Sequence, residues 1–404
     1  MFDFIRKMSK NHRAILFTCF YAFVVNGTLS MLMGSVLPDL KATYQLNDTV
    51  SGLFISAHSA GNLIAGFISG LVPLWLGRKR SIMTLSVAAF IGYAMMLAFG
   101  NPVWLFIAFL CVGIGRGAVT NFDSRMTNLL SNGSAAATNL LHSCFAVGAI
   151  TMPLIFLVLR GWIGWQAGIL FVVALGVIEQ ILWSRMKLED DHPQRSDKQN
   201  STMVFLKNPS FLILALMMFC YLCSEYAING WLVTYIQSKE SLQQALVSAG
   251  TTLSAYSQTM ATLLWTVMLI GRLLCAWLSS KVSQKILMMV SSFGMVVFFI
   301  LMLNGNSIAS VTATVAGLGF CMAGICPMIY SDAAIFTNTY PMATSALLAI
   351  GSIGAIAMPT IVGSLADRFG FDGGMRAIMV TIILLAVFAT LNVVVKTRKP
   401  NLTK

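Results

Sequence analysis

Twelve apolar runs, most of them longer than the ~18 residues that cross a hydrocarbon core as a helix, leave this chain few folds to choose from. They cover residues 14–38, 49–75, 81–99, 103–130, 135–159, 162–184, 209–237, 248–280, 284–303, 307–337, 341–365 and 374–395. None shows the strict alternation of a membrane β-strand, so the expectation is an all-α membrane protein with twelve transmembrane helices. Only 10% of the 404 residues are charged and 57% are hydrophobic. A water-facing surface needs about a quarter charged, so the solvent is lipid. The first run is too long for the apolar core of a signal peptide and lacks a small-residue cleavage site, and reads as the first span.

The sequence is also duplicated. Gly148-Ala149-Ile150-Thr151-Met152-Pro153 returns as Gly354-Ala355-Ile356-Ala357-Met358-Pro359, and Gly113-Ile114-Gly115 returns as Gly317-Leu318-Gly319, at offsets of 206 and 204 residues. An offset near half the chain is too long for a solenoid and predicts two homologous halves. The one long polar stretch, 185–208, falls between them. The expected organisation is a six-helix bundle over 1–184, a linker over 185–208 and a second six-helix bundle over 209–404.

The net charge of +12 tracks the loops, which argues against nucleic acid. Basic residues concentrate in the N-terminal tail (Arg6, Lys7, Lys10, Arg13), at Arg78-Lys79-Arg80, in the linker and after Val395, whereas the other face carries Lys41, Arg160, Lys239, Arg368 and Arg376. By the positive-inside rule both termini and the linker are cytoplasmic, in a plasma or inner membrane. All eight cysteines fall within spans, so no disulfide framework or metal site is expected. The loops are too short for a catalytic domain, and no nucleophile–base pair or ligand cluster suggests an enzyme or a cofactor. No strand precedes the glycines at 113–117, which excludes a dinucleotide loop.

Six plus six spans, a cytoplasmic linker and the Gly77-Arg78-Lys79-Arg80 turn resemble the major facilitator superfamily of secondary transporters, across the whole chain. The superfamily's signature between spans 2 and 3 places glycines at Gly70 and Gly77 with an acid between them, and Leu74 holds the acid's place. The run Gly363-Ser364-Leu365-Ala366-Asp367-Arg368-Phe369-Gly370 is similar to the superfamily's outer turn after span 11. Tyr221, Glu225, Trp231 and Tyr235, Trp265 with Gly271-Arg272, Asn139-Leu140-Leu141-His142 with Phe145, and Pro38 resemble spans 7, 8, 5 and 1 of the fucose/galactose–proton symporters. The two carboxyls which that group places in spans 1 and 4 are absent, Gly34 and Ala118-Val119 standing there. Drug–proton antiporters carry an arginine at the place of Phe109.

An ionisable side chain in a span asks for a partner, an aqueous cavity or a function. Arg116 and Glu225 lie near the centres of their spans. Arg116 reads either as a guanidinium that binds substrate oxygens or a carboxylate, or as the partner of Asp123 or Glu225. Glu225 reads as the proton-coupling group, or as hydrogen-bonded to backbone or Asn229; His58 is a second coupling candidate. Asn26, Asn121, Asn139, His142, Tyr21, Trp231, Tyr235, Gln258 and Trp265 are candidates to line a solute site, with helix–helix hydrogen bonding or packing as the alternative for each. Arg78, Asp123, Arg125, Arg272 and Asp332, toward the cytoplasmic ends, read as gate or interdomain ion pairs.

The expected function is alternating-access transport of a small polar solute, a sugar or sugar derivative first, coupled to protons or in their place sodium, by a monomer in the bilayer. An organic-anion transporter and a drug or lipophile efflux antiporter are the alternatives, the latter suggested by the 25 methionines and 26 phenylalanines.

Overall fold

The computed structural model describes residues 8–131, 135–188, 203–279, 281–337, 340 and 342–395. Most of the expected linker, residues 1–7 and residues 396–404 lie outside the described residues. Every regular element among those described is helical. In chain order they are α1 (Lys10–Tyr44), α2 (Asp48–Ala98), α3 (Pro102–Leu130), α4 (Ala135–Ile163), α5 (Gln166–Arg185), α6 (Pro209–Gln237), α7 (Gln243–Ser248), α8 (Leu253–Leu278), α9 (Gln284–Asn304), α10 (Ile308–Met322), α11 (Ile325–Asp332), α12 (Ala334–Thr337) and α13 (Met342–Val394), with short 3-10 turns at Met203–Lys207 and Glu240–Leu242.

Ten helical segments are long and apolar enough to cross a membrane. Large apolar side chains stand open on their outsides, Trp75 at 77% and Trp162 at 79% exposure among them, a surface that suits lipid and not water. The boundaries follow local chemistry. Asn101 and Asn208 each cap a helix that begins with proline, accepting from the N–H two residues on. Thr252 caps α8, and Ser307 with Ser310 forms a reciprocal capping box at α10.

Two expected loops are instead single-residue breaks. The helices α2 and α13 run for 51 and 53 residues, interrupted only where Gly77 and Gly370 take φ of 74° and 73°. A continuous helix of that length would measure about 75–80 Å against a hydrocarbon core of about 30 Å. Each therefore folds back at its glycine, the residue that takes a left-handed φ without strain. Conversely, the expected span 307–337 is broken into α10, α11 and α12, with Gly324 at the first break.

The chain divides into two compact units, residues 1–46 with 57–195, and residues 47–56 with 196–404. In the first, α1 lies against α4 through reciprocal glycines. A Cβ on Gly148 would stand 2.0 Å from the Val24 carbonyl oxygen, and one on Gly27 would stand 2.1 Å from that of Phe145. In the second, a Cβ on Gly354 would stand 2.6 Å from Cys223 Sγ and 2.7 Å from the Phe219 carbonyl oxygen on α6. The duplicated glycine thus makes the same kind of close helix contact in each unit.

The first turns of α2 belong to the second unit. Asp367 of α13 accepts from the backbone N–H of Asp48 and of Thr49, both at 2.8 Å, and from the Thr49 hydroxyl at 2.6 Å. A carboxylate there satisfies donors that a helix start leaves open and complements its dipole. Asp367 is therefore more than the exposed turn its sequence position suggests. Asp367→Ala is expected to cost about 1–2 kcal/mol, the value of a helix cap, read as a lower melting temperature of the purified protein. Asp367→Asn, which keeps an acceptor, should recover part of the loss.

Candidate functional site

Three glycines bring α3 close to both arms of α2. A Cβ at Gly113 would meet the His58 carbonyl oxygen at 2.0 Å, one at Gly115 the Ala89 nitrogen at 2.4 Å, and one at Gly117 the Asn62 side-chain oxygen at 2.5 Å. Arg116 sits among them. Its Nε donates to Asn26 Oδ1 at 2.9 Å and to the Asn26 carbonyl at 3.3 Å, and its Nη1 donates to His58 Nε2 at 2.7 Å. Asn26 is held in turn, donating to the Thr120 hydroxyl at 2.9 Å.

This geometry fixes the histidine. A guanidinium only donates, so His58 Nε2 accepts and the ring is neutral with its proton on Nδ1. His58 is 1% exposed and Nδ1 has no hydrogen-bond partner. The cluster is accordingly rich in donors: a guanidinium that is 9% exposed beside an imidazole N–H with nothing to donate to. Such a group is suited to oxygen atoms, anionic ones above all. The sequence alternative in which Arg116 pairs with Asp123 is not realised, because neither Asp123 oxygen has a hydrogen-bond partner.

The second unit carries Glu225 near the middle of α6. Its carboxyl lies near Arg272 and near the Tyr221 hydroxyl, which donates to the Met322 carbonyl at 3.2 Å. Arg272 bonds weakly to the Ala323 carbonyl at 3.4 Å and lies 5.8 Å from the Trp265 ring centroid. Trp265 donates to Asn229 Oδ1 at 3.2 Å.

The remaining candidates separate by environment. Asn121, Asn139 and His142 are exposed, and Gln258 is buried on α8. Asn121 donates back to the Gly117 carbonyl of its own helix, and the His142 ring lies edge-on to Phe23. Trp231 and Tyr235 are fully buried with their polar ends satisfied, by the Pro359 carbonyl and by Asp372. Tyr21 donates to the Leu175 carbonyl. In Trp231 and Tyr235 a ring that the sequence offers as a solute platform is built into helix packing, the usual fate of a buried aromatic with one polar tip, whereas Tyr21 is half-buried.

Among the gate candidates, Asp332 accepts from Asn392 at 2.8 Å within the second unit. Arg78 and Arg125 line a small cleft in the first unit, together with Pro73, Phe122, Met126 and Trp183. Asp123 is wholly buried inside that unit. Glu179 on α5 does not stand out among the sequence candidates, yet it is 1% exposed. Its signal was available: a single acid inside an otherwise apolar span.

Long apolar helices with charged groups held in their interior, and no soluble domain among the described residues, define a polytopic helical membrane protein of the carrier type. The chain belongs to the Major Facilitator Superfamily, whose profile matches residues 18–331. It is a transporter of that superfamily. It is 23% identical to membrane protein MosC of Rhizobium meliloti, over 91% of this chain and 87% of that one. It is also 23% identical to the cis,cis-muconate transport protein of Acinetobacter baylyi, over 88% and 87%. The fold matches the crystal structure of a bacterial homolog of the human lysosomal transporter Spinster with a TM-score of 0.79 at 14% identity, covering 95% of this chain and 97% of that one.

Proposed function

We infer that this transporter moves a small polar organic solute bearing a carboxylate or comparable anionic group, an acidic sugar derivative or an organic acid, by alternating access. The observation that carries the reading is the Arg116–His58–Asn26 cluster, a fixed guanidinium beside an unused imidazole N–H. The muconate relative lends support from a different side, since muconate is a dicarboxylate. In this reading α2 and α13 each cross the membrane twice, which makes twelve spans in two bundles of six, with both termini on the cytoplasmic face of a plasma or inner membrane. Thermal-shift measurements of the purified protein against organic acids, sugar acids and neutral sugars test it, because a ligand that binds the native state raises its melting temperature. Stabilisation by neutral sugars alone would move the assignment to a sugar carrier, for which the exposed amides Asn121 and Asn139 are the supporting residues.

Glu225 is the coupling carboxyl in this proposal, because it is half-buried and lies near both a hydroxyl and a cation. Proton-driven accumulation in proteoliposomes is expected to disappear in Glu225→Gln while solute binding persists. Unchanged accumulation in that variant removes Glu225 from the mechanism, and accumulation driven by sodium but not by a pH gradient replaces the coupling ion.

A further inference from the structure

The second unit carries an open groove that the function proposed above does not use. Phe293 and Val296 of α9 form one wall, and Ile383, Val387, Thr390 and Leu391 of α13 the other, around a volume of about 290 Å³. It opens outward, since Phe293, Val387 and Ile383 are 51%, 46% and 41% exposed. Thr390 is the one polar residue in these walls, and its hydroxyl donates back to the Ala386 carbonyl at 2.8 Å. The walls therefore offer a ligand apolar contact only. From Ile383 to Leu391 the groove follows α13 for about 12 Å, against about 15 Å for half a hydrocarbon core. Such a slot suits one hydrocarbon chain.

One end of the groove is charged. Lys285, in the first turn of α9, donates to the carbonyl of Asn392 at 3.1 Å, and Asn392 directly follows the lining residue Leu391. The ammonium thus stands where the groove ends along α13. Lys281, in the turn before α9, is exposed with its Nζ 3.9 Å from the ring centroid of Trp277, which is 55% exposed. An exposed tryptophan at the end of a spanning helix belongs at the level of the lipid headgroups. Asp332 brings a negative charge to this end and is engaged by Asn392 Nδ2 at 2.8 Å. Against it stand two lysines, and in the sequence Lys396, Arg398 and Lys399 follow α13 directly.

We propose that the seam between α9 and α13 binds a phospholipid with an anionic headgroup, one acyl chain in the groove and the headgroup phosphate on Lys285 and Lys281. Each ammonium brings three donors and a full charge. A lipid without net charge has the chain but not the attraction, which is worth about 5-fold in affinity for each lysine near the surface. A free phosphate has the charge but not the chain. Only an anionic phospholipid uses both parts of the site, and once bound it ties the start of α9 to the last turns of α13.

The test titrates the full-length protein in detergent with phosphatidylglycerol, with phosphatidylcholine of the same chains, and with glycerol phosphate. Bound lipid is counted by native mass spectrometry, and the melting temperature is followed in parallel. Phosphatidylglycerol is expected to bind roughly 25-fold tighter than phosphatidylcholine, 5-fold for each lysine. That preference should vanish in the Lys281→Gln, Lys285→Gln double variant, fall roughly 5-fold in Lys285→Gln and persist in Lys285→Arg. A glutamine keeps a donor for the Asn392 carbonyl, which protects the fold. Val387→Trp, at an exposed position of the wall, should weaken phosphatidylglycerol binding through the chain with no change of charge. Equal affinity for the two lipids overturns the proposal, as does a preference that survives the double variant. Glycerol phosphate binding as tightly as phosphatidylglycerol overturns it in favour of a small-anion site, and unchanged binding in Val387→Trp overturns the placement of the chain. Should the double variant fail to fold, Lys285→Gln against Lys285→Arg decides the matter. None of these readings involves Arg116, so failure here leaves the solute proposal standing, and the reverse.

Discussion

Arg116→Lys is expected to weaken binding of the best anionic ligand by roughly 100-fold or more. Charge-assisted hydrogen bonds are each worth about 1.5–3 kcal/mol, and a lysine ammonium keeps the charge but loses the planar fork that makes two at once. The structure sharpens this expectation, because the guanidinium is held by two different atoms: Nε on Asn26 and Nη1 on His58. That clamp holds the guanidinium plane in one orientation, which a flexible ammonium cannot reproduce. Arg116→Gln should also lower the stability of the empty protein, by about 1–3 kcal/mol for each acceptor left unsatisfied. Ligand titration by calorimetry and melting of the unliganded protein separate the two effects. Full affinity in Arg116→Lys would remove Arg116 from the binding site and leave it as a clamp between α1, α2 and α3.

The second large effect is steric. Gly148→Val is expected to prevent folding or to cost more than the about 1–3 kcal/mol of ordinary overpacking. The new Cβ would stand 2.0 Å from the Val24 carbonyl oxygen and 2.9 Å from the Thr28 nitrogen. Both are backbone atoms, which move only if α1 and α4 part along their length. Even Gly148→Ala should exceed Gly354→Ala, because one of the two near contacts at Gly354 is the Cys223 thiol, which can turn away. Gly66→Ala is the control: nothing lies within 4 Å of its Cβ position, and its melting temperature should stay at or above the wild-type value. Equal stability of Gly148→Ala and Gly66→Ala would mean that the helix contact is looser than drawn.

Much of this was legible in the residues. The length of the apolar runs identified lipid as the solvent, and the repeated glycines marked the helices that approach most closely. Arg116 and Glu225 stood out because a charge inside an apolar span is costly wherever the span goes. Partners were not legible. Seven residues separate Arg116 from Asp123, which makes them neighbours on one helical face, yet Arg116 bonds to His58 and Asn26, 58 and 90 positions away. Nor did composition distinguish a loop from a hinge, since Gly77 and Gly370 reverse the chain with a single left-handed residue each.

The sequence alone determined what depends on length, period and composition: helices, membrane and a duplicated plan. Only the tertiary structure decided which side chains meet, because that rests on how near two helix axes come, and the approach is governed by backbone atoms facing a missing Cβ. At Gly113 that approach holds α3 close to α2. It thereby places a histidine in reach of Arg116, while Asp123 on the same helix stays buried without a hydrogen-bond partner.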